Sequence, residues 1–258
     1  MSLKALPDHF SRAAVSYAAY RPTYPEGLFG YLAGLVHRPR VAWDCAAGSG
    51  QATIPLAGRF ERVVATDISI SMLDQAPRHP RIDYRAVPAE ASGLPAASVD
   101  LVTVAQALHW LDAERFYEDA ARVLIPGGVL AVWSYGSPHL DSDTLQRELS
   151  QFHGDVLGLY WPEGRQHVEA GYRTLRFPFP ELDPPAFAME AHWTLDQLLG
   201  YVGTWSATQR FRDAVGRDPV PDLERKLALQ WDPGSTRRVR WPLTVRVGRR
   251  PLEAEEIA

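Results

Sequence analysis

The sequence predicts an α/β fold with a doubly wound, mostly parallel sheet, and two observations lead to this prediction. First, short apolar runs rich in β-branched residues alternate with segments of helical spacing as far as residue 136. Second, these runs are almost continuously apolar, which is typical of strands that are covered on both faces of a parallel sheet. Because strands of this kind are joined through helices in right-handed crossovers, the pattern predicts a Rossmann-like arrangement.

Five strands are expected in the first part of the chain. Their ranges are 41–46, 62–67, 81–87, 99–107 and 128–136. A helix is expected after the second strand, with Ser69 or Ser71 near its start, where a hydroxyl can cap free amides. Another helix is expected over 112–124, with Asp112 as its N-cap and Pro126-Gly127-Gly128 at its end.

The remaining chain departs from this alternation. Residues 137–185 are rich in proline, glycine and aromatic residues, and we expect an insertion there. Two late strands are predicted at 186–194 and 236–248, with an amphipathic helix over 195–207. The two strands predict an antiparallel closure of one sheet edge, where Pro242 suits an edge or bulge position.

Polar and glycine-rich segments follow four of the predicted strands. These segments are 44–50, Asp67, Ala89-Glu90 and 106–110. In an open parallel sheet the ligand binds beyond the carboxyl ends of the strands, so all four segments are expected on one rim. The sequence therefore predicts a ligand site at this rim.

Two carboxylates at the rim indicate the kind of ligand. Asp67 ends a strand where dinucleotide-binding proteins place the acid that accepts hydrogen bonds from ribose, although it could instead cap the following helix. Asp44 precedes the bend Ala46–Gly50. A pyrophosphate at this bend would be repelled by that carboxylate, whereas a ligand with an ammonium group, such as S-adenosylmethionine, would be attracted.

The composition limits which binding partners and which cellular compartment are expected. The 258 residues carry a formal net charge of −4, which argues against a general affinity for nucleic acid or anionic membranes. No segment has the pattern of a signal peptide or a membrane span, and the single cysteine, Cys45, suits a reducing compartment. We therefore expect a cytoplasmic protein. The scattered histidines and lone cysteine also lack metal-ligand spacing, so no metal is expected.

The order of these motifs resembles class I S-adenosylmethionine-dependent methyltransferases. The resemblance is carried by "DCAAGSG" (44–50), Asp67, Ala89-Glu90, "SVDLVTVAQALHW" (98–110) and "RVLIPGGVLAVW" (122–133), and it is strong over residues 8–135. Within this family the chain is most similar to the small-molecule branch that includes the trans-aconitate and ubiquinone/menaquinone methyltransferases. The resemblance implies S-adenosylmethionine as cofactor and a seven-stranded sheet with an antiparallel last strand.

The resemblance also implies a set of cofactor contacts. In this chain they are Asp44, Ala46 and Gly48 near the methionine part, Asp67 at the ribose, Ile68 against adenine, Ala89 and Glu90 at the adenine edge, and Ala105 and Gln106 beside the sulfonium. Ala46 stands where the family usually has glycine. An alanine is expected to be tolerated there if its φ is negative.

On this basis the whole chain, 1–258, is expected to be one methyltransferase domain. Its parts are a helical cap at 8–36, the cofactor-binding core at 37–136, the insertion at 137–185, and closing strands with a helix at 186–250.

The expected reaction is an in-line displacement that methylates a carboxylate or hydroxyl of a small-molecule acceptor. Such a reaction needs alignment and exclusion of water, with a general base only if the acceptor is protonated. His109 follows the fourth strand and is the candidate base, because imidazole titrates near neutral pH; a hydrogen bond to a loop carbonyl is its alternative role. Tyr17, Arg21 and Trp110 are the candidate acceptor contacts.

Three alternatives stay open at this point. A nicotinamide-dependent oxidoreductase would share the fold and Asp67, but it prefers a third glycine where this chain has Thr53. A nucleic-acid methyltransferase would use a basic surface, for which Arg237, Arg238 and Arg240 are the candidates. The third alternative is a cofactor-binding module without catalytic activity.

Overall fold

The computed structural model describes residues 20–252, and these fall into two compact units. The core unit contains Thr23–Gly136, Gly164–Ala188 and the segment that begins at Pro242. The accessory unit contains Ser137–Glu163 and Met189–Trp241, together with the described residues up to Pro22. The predicted insertion at 137–185 is thus divided between the two units.

The secondary structure of the described residues follows the predicted alternation. In chain order the elements are α1 (Glu26–Gly34), β1 (Val41–Cys45), α2 (Thr53–Ala57), β2 (Arg62–Asp67), α3 (Ile70–Leu73), β3 (Ile82–Ala86), β4 (Val99–Ala105), α4 (Ala113–Val123), β5 (Leu124–Tyr135), β6 (His139–Leu140), α5 (Asp143–Gln151), α6 (Arg165–Glu169), β7 (Glu181–Leu182), β8 (Phe187–Trp193), α7 (Leu195–Gly203), α8 (Ser206–Val215), α9 (Val220–Leu227) and β9 (Arg237–Arg249). Short 3₁₀ helices cover Leu108–Trp110 and Gly158–Tyr160, and a π-helical turn covers Phe152–Val156. No helix among residues 20–252 has both the length and the apolar character that crossing a bilayer requires.

The core unit is built on a parallel sheet with the strand order β3-β2-β1-β4-β5. The strand β9 lies beside β5 and runs antiparallel to it, from Val129 opposite Arg249 to Tyr135 opposite Leu243. The predicted fold class, a mostly parallel doubly wound sheet with an antiparallel strand at one side, is confirmed. Because β1 lies between β2 and β4, the ends of these three strands bring distant parts of the sequence to one rim.

The apolar pattern explains why these elements pack together. The strands β1 and β4 are buried along almost their whole length, as continuous apolar runs predict for strands covered on both faces. The helix α4 buries Phe116, Ala120 and Val123 on one face, and its N-cap Asp112 accepts a hydrogen bond from the backbone amide of Arg115. This helix therefore begins where the sequence predicted.

Three details of the fold differ from the prediction. Among residues 20–252 the sheet has nine strands rather than seven, because β6 and β7 pair with β9 in addition to the predicted strand β8. Pro126-Gly127-Gly128 lies inside β5, at an irregularity between the pairs Val99–Leu124 and Leu101–Val129, instead of separating helix from strand. The helix expected over 195–207 stops at Gly203, and α8 begins at Ser206.

The accessory unit has a core of packed aromatic rings. Tyr201 makes edge contacts with Trp205 and Trp241, and Trp241 Nε1 donates to the Tyr201 hydroxyl at 3.1 Å. The guanidinium of Arg21 lies 5.1 Å from the centre of the Tyr201 ring. Most of the aromatic residues in this unit thus have the core role that is usual for large rings.

Candidate active site

The carboxylate of Asp44 is the centre of a buried hydrogen-bond network. Asp44 is the penultimate residue of β1, and its two oxygens accept hydrogen bonds from the hydroxyls of Thr53 at 2.6 Å and Thr103 at 2.8 Å. All three residues are fully buried. Burial raises the pKa of Asp44 to about 6, although both hydroxyl bonds act in the opposite direction. The carboxylate therefore ties β1 to the first residue of α2 and to β4.

The bend after β1 contains a strained alanine. Ala46 has φ of 54°, in the left-handed region, so the condition under which an alanine was expected to be tolerated here, a negative φ, is not met. The physical reason is that the chain must turn sharply here, between the end of β1 and the amide of Ala47, which donates to the Thr66 carbonyl at 2.9 Å. A left-handed conformation costs an alanine roughly 1–2 kcal/mol. Strain of this kind is typical of functional sites.

Asp67 connects the bend after β1 to the turn after β2. One of its oxygens accepts from the backbone amide of Gly48 at 2.8 Å, and the other accepts from the amide of Ser69 at 2.8 Å. Gly48 itself has φ of 56°, a conformation that favours glycine. Ser69 is also the N-cap of α3, as predicted. The helix-cap role thus belongs to Ser69, and Asp67 holds two rim segments together.

The surroundings of Asp67 fit the nucleoside part of a cofactor. A carboxylate has about four lone-pair sites, and the two amide bonds leave acceptor capacity for ribose hydroxyls. The adjacent side chain of Ile68 is 57% exposed, which is unusual for a large aliphatic residue beside a buried strand end. An acceptor next to an exposed apolar side chain matches a sugar with an attached flat base.

The turn after β3 and the end of β4 complete the rim. Ala89 is buried, and Glu90 accepts from the amide of Asp112 at 3.0 Å, which connects this turn to the start of α4. Ala105 pairs with Trp133 at the end of β4. Gln106 has φ of 55° and bonds the Tyr135 backbone in both directions, at 3.0 and 2.8 Å. The rim therefore has left-handed residues at the ends of both β1 and β4.

His109 lies in the 3₁₀ helix that follows β4. Its Nδ1 lies 3.0 Å from the Tyr172 hydroxyl, and its ring is 4.8 Å from that of Trp110, measured between centroids. Burial, followed by the positive charges of Arg165 and His167, lowers the pKa of His109 to about 4. The expectation that this imidazole titrates near neutral pH is therefore wrong. The partner of its Nδ1 is a phenol rather than a loop carbonyl.

The remaining predicted residues lie elsewhere. Tyr17 is outside the described residues. Arg21 belongs to the accessory unit, where it lies over Tyr201. Trp110 is half-buried in the core unit beside His109.

Comparisons with known proteins decide what this rim serves. The model of a family described as a methyltransferase domain matches residues 43–132. A solved structure from Anaeromyxobacter dehalogenans, described as a type II methyltransferase, is 43% identical; the match covers 91% of this chain and 100% of that chain, with a TM-score of 0.85. A Dictyostelium discoideum protein described as a methyltransferase is 31% identical over 223 residues, which are 85% of each chain.

The chain belongs to the S-adenosylmethionine-dependent methyltransferases. A further relative of this methyltransferase is the CRG1 protein of Saccharomyces cerevisiae, described as S-adenosylmethionine-dependent; it is 26% identical over 243 residues, which are 80% of this chain and 84% of the relative. The predicted class I family, enzyme class and cofactor are confirmed. The nicotinamide-dependent alternative and the non-catalytic module are wrong.

Sequence reasoning missed three polar residues of the methyltransferase site. In the sequence, Thr53 stands where a dinucleotide-binding motif would have its third glycine. A hydroxyl nine residues after Asp44 is also a signal for a hydrogen bond across the bend. Thr103 is a polar residue within the buried run of β4, which is also a signal, because buried hydroxyls require partners. Tyr172 is 63 residues from His109, and no local pattern points to their contact.

Proposed function

We propose that the methyltransferase transfers the methyl group to an oxygen of a small-molecule acceptor, and to an ionised carboxylate in preference to a hydroxyl. The observation that carries this proposal is the position of His109, whose Nδ1 lies 3.0 Å from the Tyr172 hydroxyl and whose pKa is lowered to about 4 by burial. Bound S-adenosylmethionine supplies an activated methyl group on a sulfonium, so the chain has to align the acceptor and exclude water. We also propose that the acceptor resembles those of the trans-aconitate and ubiquinone/menaquinone branch.

The acid–base groups at the rim favour an acceptor that is already ionised. A hydroxyl must lose a proton during transfer, and an efficient base has a pKa near the working pH. His109 has a pKa of about 4, well below neutral pH. The Asp44 carboxylate is buried between two hydroxyls, and Asp67 is bonded to two backbone amides. Because a carboxylate is ionised at neutral pH without help, it suits this site better.

The proposed cofactor contacts follow from the same rim. Asp67 would accept hydrogen bonds from ribose hydroxyls, and Ile68 would cover one face of adenine. Ala89 and Glu90 would lie at the adenine edge, and Ala105 and Gln106 beside the sulfonium. Ala46 and Gly48 would approach the methionine part through the backbone. For Asp44 we propose an indirect role, because its carboxylate holds Thr53 and Thr103 instead of facing the ligand ammonium.

The arginines of β9 form ion pairs with carboxylates, and this favours a small-molecule acceptor over nucleic acid. Arg238 and Arg240 both bond to Glu190, at 2.7 and 3.1 Å, and Arg237 bonds to Asp141 at 3.5 Å. Arginines that are already paired contribute less to phosphate binding. Roles for Arg21, Trp110 and Tyr17 in acceptor binding, and a cytoplasmic location, stay predictions.

A panel of acceptors tests the proposed function. Purified protein is incubated with S-adenosylmethionine that carries a radioactive methyl group and with matched series of carboxylic acids, alcohols, amines and thiols. We expect methyl esters of carboxylic acids, with alcohols at least about a hundredfold slower because the described residues of the site include no suitable base. Labelling of amines or thiols alone would show the proposal to be wrong.

A further inference from the structure

The contact between His109 and Tyr172 joins the rim to a buried residue that is distant in the sequence. Tyr172 is fully buried, and its ring lies nearly parallel to the imidazole, at an interplanar angle of 28° and a centroid distance of 6.1 Å. The hydroxyl approaches Nδ1 to 3.0 Å. Both residues belong to the core unit. The contact is therefore part of one compact body.

The backbone of Tyr172 adopts a strained, left-handed conformation. Its φ is 60°, which is rare for a bulky residue. Its amide donates to the His167 carbonyl at 2.7 Å, and its carbonyl accepts from Arg246 at 2.5 Å and from the amide of Leu175 at 3.0 Å. A strained conformation persists only where its surroundings determine it, and such strain is concentrated at functional positions.

The segment that contains Gly164 packs closely against the backbone of His109. Gly164 has φ of 92°, and a Cβ atom at this position would lie 3.0 Å from the His109 carbonyl oxygen. Only glycine permits such a close approach in this conformation. The 3₁₀ helix that carries His109 is thus held by Gly164 on its backbone and by Tyr172 on its ring.

The direction of the hydrogen bond follows from the surroundings of the phenol. Burial raises the pKa of Tyr172 above its usual range, so the hydroxyl keeps its proton at neutral pH. Among the described residues, Nδ1 of His109 is the hydrogen-bond partner of this fully buried hydroxyl, at 3.0 Å. Because a buried O–H group without an acceptor is costly, the hydroxyl proton points at Nδ1 of the neutral ring.

We propose that Tyr172 is a positioning residue that donates its hydroxyl proton to Nδ1 of His109, so that the neutral imidazole carries its own proton on Nε2. His109 is then a hydrogen-bond donor rather than a base. A donor of this kind suits an anionic oxygen acceptor, and this last step rests on the proposed function. The tautomer itself does not depend on the acceptor.

Nitrogen NMR of the ¹⁵N-histidine-labelled protein tests the tautomer directly. The His109 signals are assigned by their loss in His109→Gln. At neutral pH we expect Nε2 to give the signal of a protonated nitrogen and Nδ1 that of an unprotonated one. Wild-type protein with the opposite pattern, or with a charged ring, would overturn the proposal whatever the acceptor panel shows.

The variant Tyr172→Phe removes the donor while keeping the ring. We expect His109 to populate both tautomers, and we expect kcat to fall about tenfold, the value of one hydrogen bond, with little change in KM for S-adenosylmethionine. The matched control is Tyr117→Phe, because the Tyr117 hydroxyl is also buried but has no hydrogen-bond partner among the described residues. The control should leave both measurements unchanged.

Folding of both variants is checked by circular dichroism. An unaltered tautomer in folded Tyr172→Phe would contradict the proposal. If Tyr172→Phe does not fold, the wild-type spectrum alone decides. Failure of the acceptor panel together with the expected spectrum would reject the proposed function and leave the role of Tyr172 intact.

Discussion

Ala46 adopts a left-handed backbone conformation that is sterically unfavourable for a residue with a Cβ atom. The left-handed φ of 54° is stable there because β1 ends one residue earlier and the amide of Ala47 is already bonded to Thr66. Gln106 has nearly the same φ at the end of β4, and its side chain bonds the Tyr135 backbone. Both residues lie where the rim must turn the chain away from the sheet. The strain is thus located where the ligand is expected.

Replacing Ala46 by glycine should relieve this strain. We expect Ala46→Gly to raise the free energy of unfolding by roughly 1 kcal/mol, since a glycine adopts positive φ without steric cost. Urea unfolding measures the change. The control is Ala47→Gly, because Ala47 does not have a positive φ, and there we expect a loss of about 0.5–1 kcal/mol. Equal effects of the two substitutions would contradict the strain at Ala46.

At the scale of elements, one buried carboxylate joins two strands and a helix. Asp44 on β1 accepts from Thr53 on α2 and from Thr103 on β4. Its pKa is raised from 3.8 to about 6, chiefly by burial. The folded protein therefore binds the Asp44 proton more tightly than the unfolded chain does. It follows that the contribution of Asp44 to stability is greatest below pH 3.8 and falls as the pH rises to about 6.

The variant Asp44→Asn should remove this pH dependence. Asparagine can accept from one threonine hydroxyl and donate to the other, so the network keeps its shape. Relative to Asp44→Asn, we expect the wild type to lose roughly 3 kcal/mol of stability between about pH 4 and pH 7, which corresponds to two pKa units. Urea unfolding at several pH values measures this difference.

Asp83→Asn is the matched control for the pH experiment. A hydrogen bond from Arg85 lowers the pKa of Asp83, so this carboxylate stabilises the fold above its ordinary pKa and loses that effect as the pH falls. The wild type compared with Asp83→Asn should show the opposite trend. Parallel pH profiles for wild type and Asp44→Asn would contradict the raised pKa of Asp44.

The elements themselves could be predicted well from the sequence, whereas several connections between them could not. The strand β2 and the caps Ser69 and Asp112 follow from local patterns, because periodicity and capping depend on neighbouring residues. The pairing of Thr103 with Asp44, 59 residues away, depends on which strands become neighbours. A two-residue strand such as β6 has no periodicity to detect.

At the scale of the whole molecule, the order of small motifs was sufficient to identify the enzyme family and cofactor. The match over 85% of a relative confirms the methyltransferase family, and the family supports S-adenosylmethionine as the cofactor. The chemical state of the site could not be predicted in the same way. His109 was expected to titrate near neutral pH, but burial and the positive charges of Arg165 and His167 lower its pKa to about 4. Those charges lie more than fifty residues along the chain, beyond any local motif.

The most direct test of the proposed site is the binding of S-adenosylhomocysteine and of a nicotinamide dinucleotide, measured by titration calorimetry. We expect wild-type protein to bind only S-adenosylhomocysteine. We expect Asp67→Asn to bind it about 10–100-fold more weakly, because a charged acceptor for ribose is lost, whereas Asp83→Asn binds it as the wild type does. Unchanged affinity in folded Asp67→Asn, or binding of the dinucleotide instead, would contradict the account.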